Sequence, residues 1–81
     1  MLLFNWMGKL GNISGKQAVK AFRKAGWKPI GQVGSHQVLI KSGVRANLSI
    51  PQHKALSKGT LRALIRAAGL EVNEFLELLR K

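Results

Sequence analysis

Apolar residues recur along this chain in two rhythms. Between Ser14 and Gly26, Ala18, Val19, Phe22 and Ala25 return at helical spacing, and Lys16, Lys20, Arg23 and Lys24 take the other side. Ser14-Gly15-Lys16-Gln17 reads as a capping box with Ile13 placed for a hydrophobic staple, and Gly26 is a good left-handed stop. A helix is therefore predicted over residues 15–25. The rhythm then shortens. Trp27–Val33 reads as a strand whose Pro29 favours an edge position. Gly34-Ser35 is a turn, His36–Lys41 a clearer strand, and Ser42-Gly43 a second tight turn. Val44–Ile50 alternates apolar and polar residues, which predicts a strand with Val44, Ala46, Leu48 and Ile50 facing the core and Pro51 ending it. After the loop 52–56 the helical rhythm returns. Ser57 can cap a helix over 58–68 with the stripe Leu61, Leu64, Ile65 and Ala68. Gly69 stops it, and a shorter helix over 72–80 gathers Val72, Phe75, Leu76 and Leu79 on one face.

The order α-β-β-β-α-α predicts an α+β fold. The helices cover one face of a three-stranded antiparallel meander and leave the other to solvent. This is the arrangement of a double-stranded-RNA-binding-domain-like sandwich with an extra C-terminal helix. At 81 residues the chain has room for one domain, placed at 13–81. Residues 1–12 are expected to be a poorly ordered extension, with Met7 as an alternative start. Their apolar run MLLFNWM is too short to span a membrane and lacks the basic and small-residue flanks of a signal peptide.

Charge changes the picture more than composition does. Fourteen Lys and Arg stand against three acids, a net charge of +11. The acids are Glu71, Glu74 and Glu77. Residues 1–70 therefore hold twelve cations (the fourteen less Arg80 and Lys81) and no carboxylate side chain. Such a field implies a polyanionic partner. It also excludes from the body of the domain paired-carboxylate catalysis and a carboxylate-held metal pair. With no cysteine there is no disulfide, thiolate zinc site or thiol nucleophile, which fits a reducing compartment. Acid–base chemistry in the body must fall to His36, His53 or a perturbed lysine.

His36 stands where the first strand turns into the second, so its imidazole can sit at an open rim beside a glycine turn. It also shares strand parity with Val38 and Ile40, and on that reading it is a partly buried residue at the edge of the core. His53, in the loop after Pro51, is open to three readings: a second proton-transfer group, an RNA contact, or a solvated loop residue. Two histidines without a neighbouring acid or cysteine make no metal site. Lys54 and Lys58 flank the start of the second helix, where free N–H groups favour phosphate, and Gly59 admits a close backbone. Lys28, Lys41 and Arg45 lie on or beside the sheet. Lys16 opens the first helix.

Several of these motifs occur together. Ser14-Gly15-Lys16, Ala25-Gly26-Trp27, Gly34-Ser35-His36, Ile50-Pro51 followed by His53, Lys58-Gly59-Thr60-Leu61-Arg62 and Ala68-Gly69-Leu70 resemble the HicA toxins of type II toxin–antitoxin modules, over about residues 12–80. The most specific parts are Gly-Ser-His after the first strand and Lys-Gly-Thr-Leu opening the second helix. The resemblance implies a double-stranded-RNA-binding-like fold and a ribosome-independent mRNA interferase. It implies activity that depends on His36 as the single catalytic histidine, with Gly34 and Ser35 shaping its turn, and a HicB antitoxin masking that site. Two positions depart from the family's usual pattern. Gln37 stands where another histidine or polar residue often follows the catalytic one. Glu71 stands where the last helix usually has a Ser or Thr cap, a change expected to weaken its start by about 0.5–2 kcal/mol.

The expected activity is metal-independent cleavage of RNA, with no cofactor. RNA carries its own nucleophile, the 2′-OH. Lys16, Lys28, Lys41, Arg45, His53, Lys54 and Lys58 are the candidate RNA contacts, and Lys28, Lys41 or Lys54 is expected to assist His36. The protein is expected in the cytoplasm, monomeric when free and hetero-oligomeric with its antitoxin. The alternative is a non-catalytic RNA- or DNA-binding module on the same basic surface, in which His36 is replaceable. An anionic-membrane binder fits less well, because the charge lies on a mixed domain rather than on one amphipathic helix.

Overall fold

The computed structural model describes residues 10–81. Helix α1, Gly15–Lys24, starts as its capping box dictates. The Gln17 amide donates to Ser14 Oγ at 3.1 Å, and the Ser14 amide donates to Gln17 Oε1 at 2.9 Å. Ile13, Ala18, Ala21 and Phe22 are buried, while Val19 and Ala25 pack at the margin. Ala21 thus joins the core face, which the apolar spacing alone does not assign to it. The helix stops one residue short of the expected end. The Gly26 amide bonds to Arg23 O at 3.0 Å and the Trp27 amide to Phe22 O at 3.1 Å, with Gly26 at φ 101°. This closure turns Trp27 into the core, 1% exposed, so it precedes the first strand rather than opening it.

Strand β1 is Lys28–Val33, β2 His36–Lys41 and β3 Val44–Pro51, in the antiparallel order β1-β2-β3. Pro29 lies on an edge strand, as its missing N–H requires. Ile30 is the extra residue of a bulge between Pro29 and Gly31. Leu39 pairs with Leu48 and Gln37 with Ile50, and Leu39, Leu48 and Ile50 are fully buried. The alternation of β3 therefore predicts its core face correctly at Leu48 and Ile50. At Val44 and Ala46 it does not, since both are exposed. The β2–β3 register shifts between Leu39 and Lys41, and this break takes the start of β3 out of the covered part of the sheet.

Helix α2 spans Lys58–Ala67. Ser57 caps it, with Oγ accepting the Thr60 amide at 3.1 Å, and Leu61 and Ile65 are buried. Helix α3 spans Val72–Arg80 and sets Phe75 against Phe22, ring centroids 5.1 Å apart. It starts without a Ser or Thr, yet Glu74 Oε1 accepts the Glu71 amide at 2.8 Å and so satisfies one of the free donors of that end. Helices α1 and α2 pack against β3, and α3 closes over α1. The result is the expected α+β sandwich of the double-stranded-RNA-binding-like type. Leu10, within the expected extension, is 1% exposed in the same core, and residues 1–9 of that extension lie outside the described residues.

Candidate functional site

The β1–β2 hairpin closes on the pair Val33 and His36, with Gly34 and Ser35 as its two loop residues. Gly34 has φ 59° and Ser35 keeps an ordinary φ, so the turn needs glycine at its first central position. His36 is thereby fixed as the first residue of β2. It is exposed and, with Val38 and Ile40, lies on the side of the strand opposite buried Leu39. The reading that put this parity at the edge of the core is corrected: it is the outer face of the sheet. Leu39 alone decides it, because β2 reads Val38-Leu39-Ile40, three apolar residues in a row that satisfy either parity.

The segment after β3 locks this corner. Pro51 is the cross-strand partner of His36, and the Gln52 amide donates to Ser35 O at 2.8 Å. The Gly15 amide donates to His53 O at 2.9 Å, and the Leu56 amide to Ile13 O at 2.8 Å. Gly15 is buried against this strap. A Cβ there would run into Pro51 O and stand 2.8 Å from Gln52 Cα. The N-terminus of α1, the strap 51–53 and the turn before His36 are therefore one piece of structure. It places His36 and His53 at one end of the sheet, with the backbones of Lys16 and Lys54 adjoining the strap.

The other sheet cations are elsewhere. Lys28 pairs with Ile40, four residues along β2 from His36, or about 13 Å at strand rise. Lys41 pairs with Val44 at that same far end, next to Arg45, and its half-buried stem passes over Gly26. Of the three lysines expected to assist His36, only Lys54 lies at the histidine's end. Lys58 opens α2 after the strap and is exposed.

Two further features were not read from the sequence. Val33 beside the turn is 71% exposed and Ile30 in the bulge 58%, so the outer face of the sheet is apolar around His36. Separately, a groove of about 550 Å³ lies between α2 and the start of α3, lined by Gly59, Arg62, Ile65, Arg66, Leu70 and Val72. It includes neither histidine. His36 is exposed on the outer face of the sheet. Among the described residues no three His, Cys, Asp or Glu side chains stand together, and no helix is long and apolar enough to cross a membrane.

Comparison with known families matches residues 15–70, more than half of the chain, to the HicA toxin of bacterial toxin–antitoxin systems. The chain belongs to the HicA toxin family. The matched stretch holds all of α1 (but not its Ser14 cap), the Gly34–His36 turn, the strap and all of α2, and leaves α3 outside. Among solved structures the HicA-like chain is similar to a chain of a toxin–antitoxin complex from Streptococcus pneumoniae, with a TM-score of 0.65 and 34% identity over 72% of this chain and 98% of that one. A search of curated proteins finds no match.

Proposed function

We propose that this HicA-family toxin is a metal-independent endoribonuclease, an mRNA interferase of the cytoplasm, and that His36 is its essential catalytic group. The observation that carries the reading is the exposed imidazole on a glycine hairpin pinned by the strap, in a body that holds twelve cations and no carboxylate up to residue 70. RNA brings the 2′-oxygen nucleophile. His36 either accepts the 2′ proton or protonates the departing 5′ oxygen, help worth about 10²–10⁴-fold. Lys54 is the cation best placed to offset the charge that builds on the phosphorus-bound oxygens. The free toxin acts as a monomer. A HicB-type antitoxin masks His36 in a hetero-oligomer, a reading supported by the toxin–antitoxin complex to which the chain is similar.

Expression should arrest growth of a bacterial host, and His36→Ala or His36→Gln should relieve the arrest with the fold intact, since the exposed ring contributes nothing to the core. Purified protein should cleave RNA in excess EDTA. Loss of cleavage on chelation would refute the metal-free mechanism. Full activity in both His36 variants would refute the histidine's role, and RNA binding without cleavage would leave a binding module.

A further inference from the structure

Cleavage by 2′-oxygen attack needs two proton transfers, and His36 supplies one. We propose that His53 supplies the other, an assignment that rests on the RNA-cleaving reading above. The inventory is short. The chain has no Asp, Cys or Tyr, and its three Glu sit at the cap of α3 and along it, on the helix that packs over α1 rather than at the sheet end. His53 is then the one other side chain whose ordinary titration range lies near neutrality.

Placement supports the assignment. His36 and Pro51 are cross-strand partners, with Cα atoms about 4.5–5.5 Å apart in such a pair. His53 follows two residues later, at most about 7 Å of chain. The two Cα atoms thus lie within about 13 Å of each other, near enough for one bound RNA linkage to lie within reach of both. The position is also held. The strap is bonded on one side to the turn before His36 through Gln52 N–H and Ser35 O, and on the other to α1 through Gly15 N–H and His53 O itself. Both side chains are exposed and open to substrate.

The step balances without water or metal. A neutral imidazole takes the 2′ proton as the 2′ oxygen bonds to phosphorus. A protonated imidazole gives its proton to the 5′ oxygen as the P–O5′ bond breaks. The products are a 2′,3′-cyclic phosphate and a 5′-hydroxyl, and the two imidazoles end with exchanged protonation states.

The test uses the full-length protein and an RNA oligomer that wild type cleaves at one mapped linkage, prepared with either oxygen or sulfur at the bridging 5′ position. A sulfur leaving group departs without a proton. On the oxygen substrate, His36→Ala, His53→Ala and His53→Gln should each lose about 10²–10⁴-fold in kcat. Each histidine should remove a different limb of the wild-type bell-shaped pH profile. On the sulfur substrate, variants at one position should recover and those at the other should not, which separates acid from base. Circular dichroism of the His53 variants should match wild type, because only the backbone of residue 53 takes part in the fold. If the wild-type protein cleaves no RNA, the RNA-cleaving reading itself fails, and if His36→Ala cleaves at the wild-type rate, the catalytic role of His36 fails. If His36 is required but both His53 variants keep the wild-type rate and both limbs, or if sulfur rescues neither position, the His53 assignment alone is overturned.

Discussion

Gly15 carries more of this site than its lack of a side chain suggests. The strap lies so close to it that even a methyl group meets backbone, which cannot swing aside as a flexible side-chain tip can. Gly15→Ala should therefore cost about 1–3 kcal/mol through overpacking. The displaced strap is bonded to Ser35 O, so the shift should reach the turn that aims His36 and lower kcat more than KM. Gly59 makes the control. It lies in the first turn of α2 with nothing within 4 Å of a built Cβ, and Gly59→Ala should stabilise by about 0.4–1 kcal/mol through the unfolded chain. Denaturant midpoints and steady-state cleavage rates of the two variants settle the matter. Equal stability and equal turnover in both would show that the strap does not transmit.

At the scale of elements, what was legible was what local chemistry determines. Ser14-Gly15-Lys16-Gln17 and Ser57 start their helices as their side chains predict, because a cap is decided within four residues. Gly34-Ser35 reads as a hairpin because a positive φ at the first loop position demands glycine. What was not legible depends on register. Val38-Leu39-Ile40 contains no polar residue to mark a face, so the side of the sheet on which His36 stands is settled only by Leu39 meeting Leu48. The shift between Leu39 and Lys41 is invisible in an alternating strand, and so Val44 and Ala46 were expected in the core. Lys41 ends β2 and Arg45 begins the return strand, so both lie at the far end from the histidine although they are within ten residues of it along the chain. The close approach at Gly15 belongs to two segments nearly forty residues apart, and no pattern within either announces it.

At the scale of the whole molecule, two surfaces act together: a cationic body and an apolar outer sheet face. RNA affinity should fall steeply with salt through counterion release, and Lys54→Ala or Lys58→Ala should weaken binding to all sequences and flatten the slope of log affinity against log salt by about one unit per lost phosphate contact. Affinity independent of salt would assign the basic surface another task. The apolar face bears on the antitoxin. A partner that held the toxin by charge alone would be released as salt rose, but Val33 beside the turn, at 71% exposure, and Ile30 in the bulge, at 58%, offer an anchor that salt does not weaken. Carboxylates of the partner facing Lys28, Lys41, Arg45 or Lys54 should then set a fast, salt-sensitive association, and burial of these apolar residues a slow, salt-insensitive dissociation. Helix α3 and its Glu71 cap hold all the chain's acidic side chains, and the helix spends Phe75 on the core, so it is poorly suited to an acidic partner. Hydrogen exchange on the toxin with and without antitoxin should accordingly show new protection across Ile30–Val38 and the strap, with α3 unchanged. Protection confined to 72–81, with 34–36 as mobile as in the free toxin, would mean that inhibition acts from a distance and that His36 is not covered.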